Sequence, residues 1–92
     1  MRAKKIDVNQ RDIVRELRSK GYSVAITSAL GQGFPDIVIG YGGQNFMFEI
    51  KDPNKPPSQR KLTPDEKSFH DSWSGQIEII LTSKDAIAII EK

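Results

Sequence analysis

Two carboxylates and a lysine stand in this sequence where two short strands can bring them together. Asp36 follows Pro35, and Glu49-Ile50-Lys51 follows further on. Both lie in runs that read as strands. Asp36-Ile37-Val38-Ile39 is β-branched and apolar around one carboxylate, and Asn45 to Lys51 alternates strictly. With a period of two, Phe46, Phe48 and Ile50 share one face, and Met47, Glu49 and Lys51 share the other. Gly42-Gly43 between the runs suits a two-residue turn, whose central residues need positive φ. A turn centred there sets Asp36 opposite Glu49. The Cβ atoms of such a pair stand roughly 4.5–5.5 Å apart, where like charges destabilise. A proton or a cation between the carboxylates relieves the repulsion. Carboxylate oxygens with a spare backbone carbonyl suit a hard divalent cation such as Mg²⁺. Lys51, on the Glu49 face, could hold a phosphate or the attacking water. These are the parts of metal-assisted phosphodiester hydrolysis. A three- or five-residue loop would shift the register and turn Glu49 away.

The elements around this hairpin must position it. A first helix is expected from near Asp7 or Asn9 to Gly21, with Asp7-x-x-Gln10 matching a capping box and Gly21 a natural C′ residue. Ile6, Gln10, Ile13, Val14 and Leu17 form one stripe on it, in which Gln10 is the polar exception. Gln10 is therefore either the capping partner of Asp7 or a polar group with a use on the packed face. Arg11, Arg15 and Arg18 make a basic stripe, either a solvated face or a set of phosphate contacts. Tyr22 to Thr27 reads as a strand with Val24 and Ile26 on one side. Ser28 to Gly33 is a small-residue loop whose glycines allow close approach of a ligand or simply a turn. After the hairpin, Asp52 to Lys61 carries three prolines and is expected to be irregular. Its Lys55, Arg60 and Lys61 would attract a phosphate backbone. Thr63-Pro64-Asp65-Glu66 combines an N-cap, proline at N1 and glutamate at N3. The helix it starts should run to Ser74-Gly75, with Leu62, Glu66, Phe69 and Trp73 on one face and the aromatics packed on the sheet. His70 is expected on its surface without function. Gln76 to Leu81 reads as a buried strand, and Thr82 or Ser83 as the cap of a last helix to about Ile90, although Ala86 to Ile90 could also be strand. The resulting order is α-β-β-β-α-β-α, an α/β fold with a small mixed sheet of about four strands flanked by helices, the hairpin inside it.

Composition narrows the classes. The 92 residues make one domain, with charged residues at 28% and a net charge of +2, too small to announce a nucleic-acid partner by itself. Met1 to Lys5 reads as a frayed basic arm. Without cysteine, disulfides and thiolate zinc sites are excluded, and a single histidine argues against His-rich metal sites. No membrane span or secretory leader is evident, so a cytoplasmic protein is expected.

Pro35-Asp36 with Glu49-Ile50-Lys51 resembles the PD-(D/E)xK signature of a large nuclease superfamily. The helix containing Gln10 and ending at Gly21, the stretch from Gly33 to Gly40, Phe48 to Pro53, and the Leu62-Thr63 helix start with Trp73 are more specifically similar to its VRR-NUC branch, in the stand-alone, phage-type form. That resemblance covers most of the chain. It implies a restriction-endonuclease-like fold and a phage- or bacterium-encoded, Mg²⁺- or Mn²⁺-dependent DNA endonuclease, without a small-molecule cofactor. Stand-alone members are thought of as homodimers selective for branched DNA such as Holliday junctions. Carried over, Asp36, Glu49 and the Ile50 carbonyl would be metal ligands, and Lys51 would orient water or stabilise the transition-state phosphate. Many resolvases have glutamate where this chain has Gln10, and a neutral amide there could still bind metal or its water. Ser28 lies where resolvases often carry a serine near the scissile phosphate. With Lys55, Arg60, Lys61, Arg11 and Arg15 it completes the expected DNA contacts. The alternative is a non-catalytic DNA-binding module that keeps the fold as a scaffold.

Overall fold

A hairpin with a type I′ turn forms the middle of a four-stranded sheet in a computed structural model that describes residues 7–92. The basic arm read over Met1 to Lys5, and Ile6 of the first stripe, lie outside the described residues. The elements are α1 (Gln10–Ser19), β1 (Ser23–Ile26), β2 (Ile37–Tyr41), β3 (Gln44–Ile50), α2 (Pro64–Ser72), β4 (Glu78–Ile80) and α3 (Ser83–Ile90). Single 3₁₀ turns occupy Ser28–Leu30 and Pro57–Gln59, the latter inside the proline-rich loop expected to be irregular.

Gly42 and Gly43 have φ of 59° and 78°, so the chain reverses in two residues and Tyr41 pairs with Gln44. Every pair down to Ile37 with Phe48 keeps the register that the glycine turn predicts, and Asp36, one residue beyond the last pair, hydrogen-bonds Glu49. The spatial order is β1-β2-β3-β4, with the first three strands antiparallel and β4 parallel to β3. The hairpin therefore lies inside a mixed sheet, between two edge strands.

Strand alternation divides the hairpin. Ile37, Ile39, Phe48 and Ile50 join Ile13, Val14 and Leu17 of α1, Ala86 and Ile90 of α3, Tyr22 and Ile80 in one buried core. Asp36, Glu49 and Lys51 fall on the other face, toward α2. Burying a side chain the size of Phe48 or Leu17 contributes about 1.5–3 kcal/mol.

Four local expectations change. The Asp7-x-x-Gln10 capping box does not form: Asn9 is the N-cap, with no side-chain cap bond, and Gln10 is the first helical residue. Asn9 instead donates its amide to the carbonyls of Lys51 and Leu81, 3.0 Å each, tying the start of α1 to the ends of β3 and β4. Phe69 and Trp73 do not pack in the sheet core. They stack on each other at 5.1 Å, Phe69 meets Phe34 edge-on at 5.3 Å, and Trp73 is 43% exposed. The last strand is shorter than Gln76 to Leu81 and only Ile80 is buried, because an edge strand leaves Ile79 half in water. On β1 the paired apolar positions likewise part: Val24 packs against the core and Ile26 is exposed.

The α2 start does form as read. Thr63 Oγ1 accepts from the Glu66 N–H, and Glu66 accepts from the Thr63 N–H. Thr63→Ala should cost about 1 kcal/mol, seen as a lower urea midpoint with the m-value unchanged. An unshifted midpoint would show that the cap does not support the helix.

Candidate active site

Asp36, Glu49 and Lys51 are 4%, 1% and 8% exposed, far from the solvated strand face that isolated charges would occupy. Their positions are set by backbone. Thr27 N–H donates to the Asp36 carbonyl at 2.8 Å, and Asp36 N–H to the Phe48 carbonyl at 3.1 Å. The Ile50 N–H then donates to Asp36 Oδ2 at 2.7 Å, so the aspartate side chain takes the place of a ladder partner and is aimed along β3. Lys51 is the residue after β3, held by its N–H on the Ile80 carbonyl at 3.0 Å.

The Glu49 carboxyl is hydrogen-bonded to Asp36 and to Glu66. Burial, then the hydrogen bond and charge of Asp36, push it up to about 10. Glu49 thus keeps its proton at neutral pH. The conflict between facing carboxylates read from the sequence is met by Glu49, which keeps its proton and hydrogen-bonds Asp36.

Glu66, read from the sequence as a cap on the same helix face as Phe69 and Trp73, is the site residue that pattern alone missed. It is 5% exposed, and its Oε1 accepts from Lys51 Nζ at 2.8 Å as well as from the Thr63 N–H at 2.9 Å. Lys51 Nζ lies 3.9 Å from Glu49 Oε2. Burial alone would raise the Glu66 carboxyl, but the hydrogen bonds from Lys51 and Thr63 outweigh it and hold it at about 2. Two buried glutamates thus sit in opposite states, one protonated and one anionic, with the lysine between them. His70, one turn along α2, is half-buried rather than on the surface, and burial pushes its imidazole below the usual range.

Gln10 and Ser28 are brought together. Both are buried, and Gln10 Nε2 donates to Ser28 Oγ at 3.3 Å. Their neighbours lead to the carboxylate end of the hairpin: Asn9 binds the Lys51 carbonyl, and Thr27 Oγ1 donates to the Pro35 carbonyl at 2.7 Å. Gln10 Oε1 is buried without a hydrogen-bond partner among the described residues. A buried amide oxygen left so costs about 1–3 kcal/mol, an incentive to take a ligand.

The basic residues divide. Arg11 and Arg15, with Arg18, Val8, Val14 and Ile26, line a groove of about 750 Å³ that reaches Gln10. Lys55 is held by Asp7 at 2.9 Å, Arg60 is half-buried, and Lys61 is exposed. No helix among the described residues is long and apolar enough to cross a membrane. Among the described residues no three His, Cys, Asp or Glu side chains form a group that could hold a metal ion by themselves. The donor set expected here is smaller, two carboxylates and the Ile50 carbonyl. Comparison with family models, curated proteins and solved structures gave no match, which leaves the site as the ground for assigning a function.

Proposed function

We propose that this protein is a divalent-metal-dependent DNA endonuclease with a restriction-endonuclease-like fold, acting on branched DNA as a homodimer. The observation that carries the reading is a pair of buried, hydrogen-bonded carboxyl groups, Asp36 and Glu49, beside a buried, ion-paired lysine. Such a pair costs folding free energy, and a ligand that replaces the proton gives it a use. Asp36, Glu49 and the Ile50 carbonyl suit a hard cation, and the unsatisfied Gln10 oxygen is a further neutral donor for it or for its water. Bound Mg²⁺ or Mn²⁺ supplies Lewis acidity toward the phosphoryl oxygen and makes water a better nucleophile.

The chain's own groups do the rest. Asp36 is held rigidly by the Ile50 N–H, so no reorganisation is needed when charge develops beside it. Lys51 presents an ammonium next to the carboxylates, where it can hydrogen-bond a phosphate oxygen or the attacking water. The groove lined by Arg11, Arg15 and Arg18 offers the anionic backbone a basic surface. A two-fold dimer would match the symmetry of a four-way junction and cut two of its four strands.

The test is cleavage of a labelled four-way junction, a flap and a plain duplex with Mg²⁺, Mn²⁺ or EDTA, beside Lys51→Ala. Paired nicks in the junction that require metal and fall by about 10²–10³-fold in the variant are expected. Cutting without junction preference would remove the substrate assignment and keep the chemistry. Junction binding with no cutting at all would favour the non-catalytic scaffold instead.

A further inference from the structure

A capping box asks of its glutamate only one oxygen at the N-cap N–H. In this protein that same Glu66 Oε1 also receives the Lys51 ammonium at 2.8 Å. Glu66 is itself fixed from a second direction. A Cβ on Gly33 would lie 2.1 Å from the Asp65 carbonyl oxygen and 2.9 Å from the Glu66 nitrogen, so the loop leading into Asp36 touches the turn that carries Glu66. Gly33, read as room for a ligand or simply as a turn, is room for α2. Lysine has a long, freely rotating stem, and its ammonium points wherever its partners hold it. The partner closest to Lys51 Nζ is Glu66, at 2.8 Å, while Glu49 Oε2 is at 3.9 Å.

We propose that Glu66 is the positioning residue for Lys51, holding its ammonium on the α2 side of the Asp36–Glu49 pair in the direction that the reaction uses. The kinetic part of this inference rests on the nuclease reading, whereas the contact itself does not. Glu66 keeps its cap through one carboxylate oxygen and steers the lysine through the same atom, so the docking of α2 and the alignment of Lys51 are one event.

Glu66→Gln separates the charge from the other contacts, because the amide can still accept from the Thr63 N–H and hydrogen-bond the Glu49 carboxyl but carries no charge for Lys51. Junction cleavage by Glu66→Gln is expected to fall in kcat by about 10–100-fold, with KM unchanged and Mn²⁺ affinity, measured by calorimetry, unchanged. Glu66→Asp, which keeps the charge on a shorter stem, should recover part of the loss. In side-chain ¹⁵N NMR the Lys51 ammonium should give a resolved signal in the wild type that broadens away in Glu66→Gln. Wild-type kcat with an undisturbed ammonium signal would overturn the proposal. Loss of Mn²⁺ binding in Glu66→Gln would overturn it differently, making Glu66 a metal ligand. If the wild type cuts no DNA, the nuclease reading fails, and the ammonium signal decides by itself whether Glu66 holds Lys51.

Discussion

Replacing Glu49 by glutamine is expected to lower metal-dependent cleavage by about 10²–10³-fold or more and to stabilise the metal-free protein at alkaline pH. Burial, then Asp36, raises the Glu49 carboxyl from 4.5 to about 10. The unfolded chain therefore loses this proton near pH 4.5, while the folded protein keeps it to about pH 10. The stability contributed by the group is complete below the lower value and is lost as pH rises toward the upper one, at up to about 1.4 kcal/mol per pH unit. Glutamine has no proton to lose, so the slope should disappear. Urea unfolding in EDTA at about pH 6 and about pH 9 measures it. Wild-type stability should fall between the two, and the variant's fall should be much smaller. Mg²⁺ should flatten the wild-type slope as well, because a bound cation displaces the proton. A variant with the wild-type slope would mean that Glu49 is not the strained group, and an active variant would remove it from the site.

Gly33→Ala should be the most damaging single methyl in the chain. The backbone there has φ of 81°, and the added carbon would lie 2.1 Å from the Asp65 carbonyl oxygen. Left-handed backbone costs an alanine about 1–2 kcal/mol, and forcing atoms into a packed contact costs about 1–3 kcal/mol more. Gly42→Ala is the matched control, since its φ is 59° and nothing lies within 4 Å of the new carbon. It should lose only the backbone part, about 1–2 kcal/mol. The difference between the two urea-derived stabilities isolates the close approach of α2. Equal losses would show that α2 does not press on Gly33. Cleavage should drop with Gly33→Ala and survive Gly42→Ala, because only the first moves the turn that bears Glu66.

Much of this was legible in the sequence where a short-range rule decides the outcome. Two glycines dictated a two-residue turn, and strict alternation then left one register in which Asp36 meets Glu49. Thr63 with Glu66 marked a helix start because both bonds of the box lie within one turn. The misreadings share a cause, namely a partner distant in sequence. Gln10 fits a capping pattern with Asp7, but a buried hydrogen bond to Ser28 and the anchoring of Asn9 on Lys51 and Leu81 move the helix start past it. Phe69 and Trp73 share a face, yet periodicity cannot say that the face meets Phe34 instead of the sheet. Glu66 was hidden by its own clarity, since a complete local explanation gives no hint of a lysine arriving from another strand.

The sheet ends on β1, an edge whose outward backbone groups are open to another strand. Since the Thr27 N–H bonds to Asp36, alternation turns the backbone groups of Ala25 and Ser23 toward β2 and those of Val24 and Ile26 outward. An outward row of this kind, beside an exposed Ile26, is a template on which a foreign strand can add. Arg18 reaches from α1 and donates to the Val24 carbonyl at 2.8 Å, occupying that acceptor with a charged, hydrated group. An incoming strand must expel the guanidinium before it can pair. The last turn of α1 thus covers one of the open acceptors on the β1 edge of the sheet.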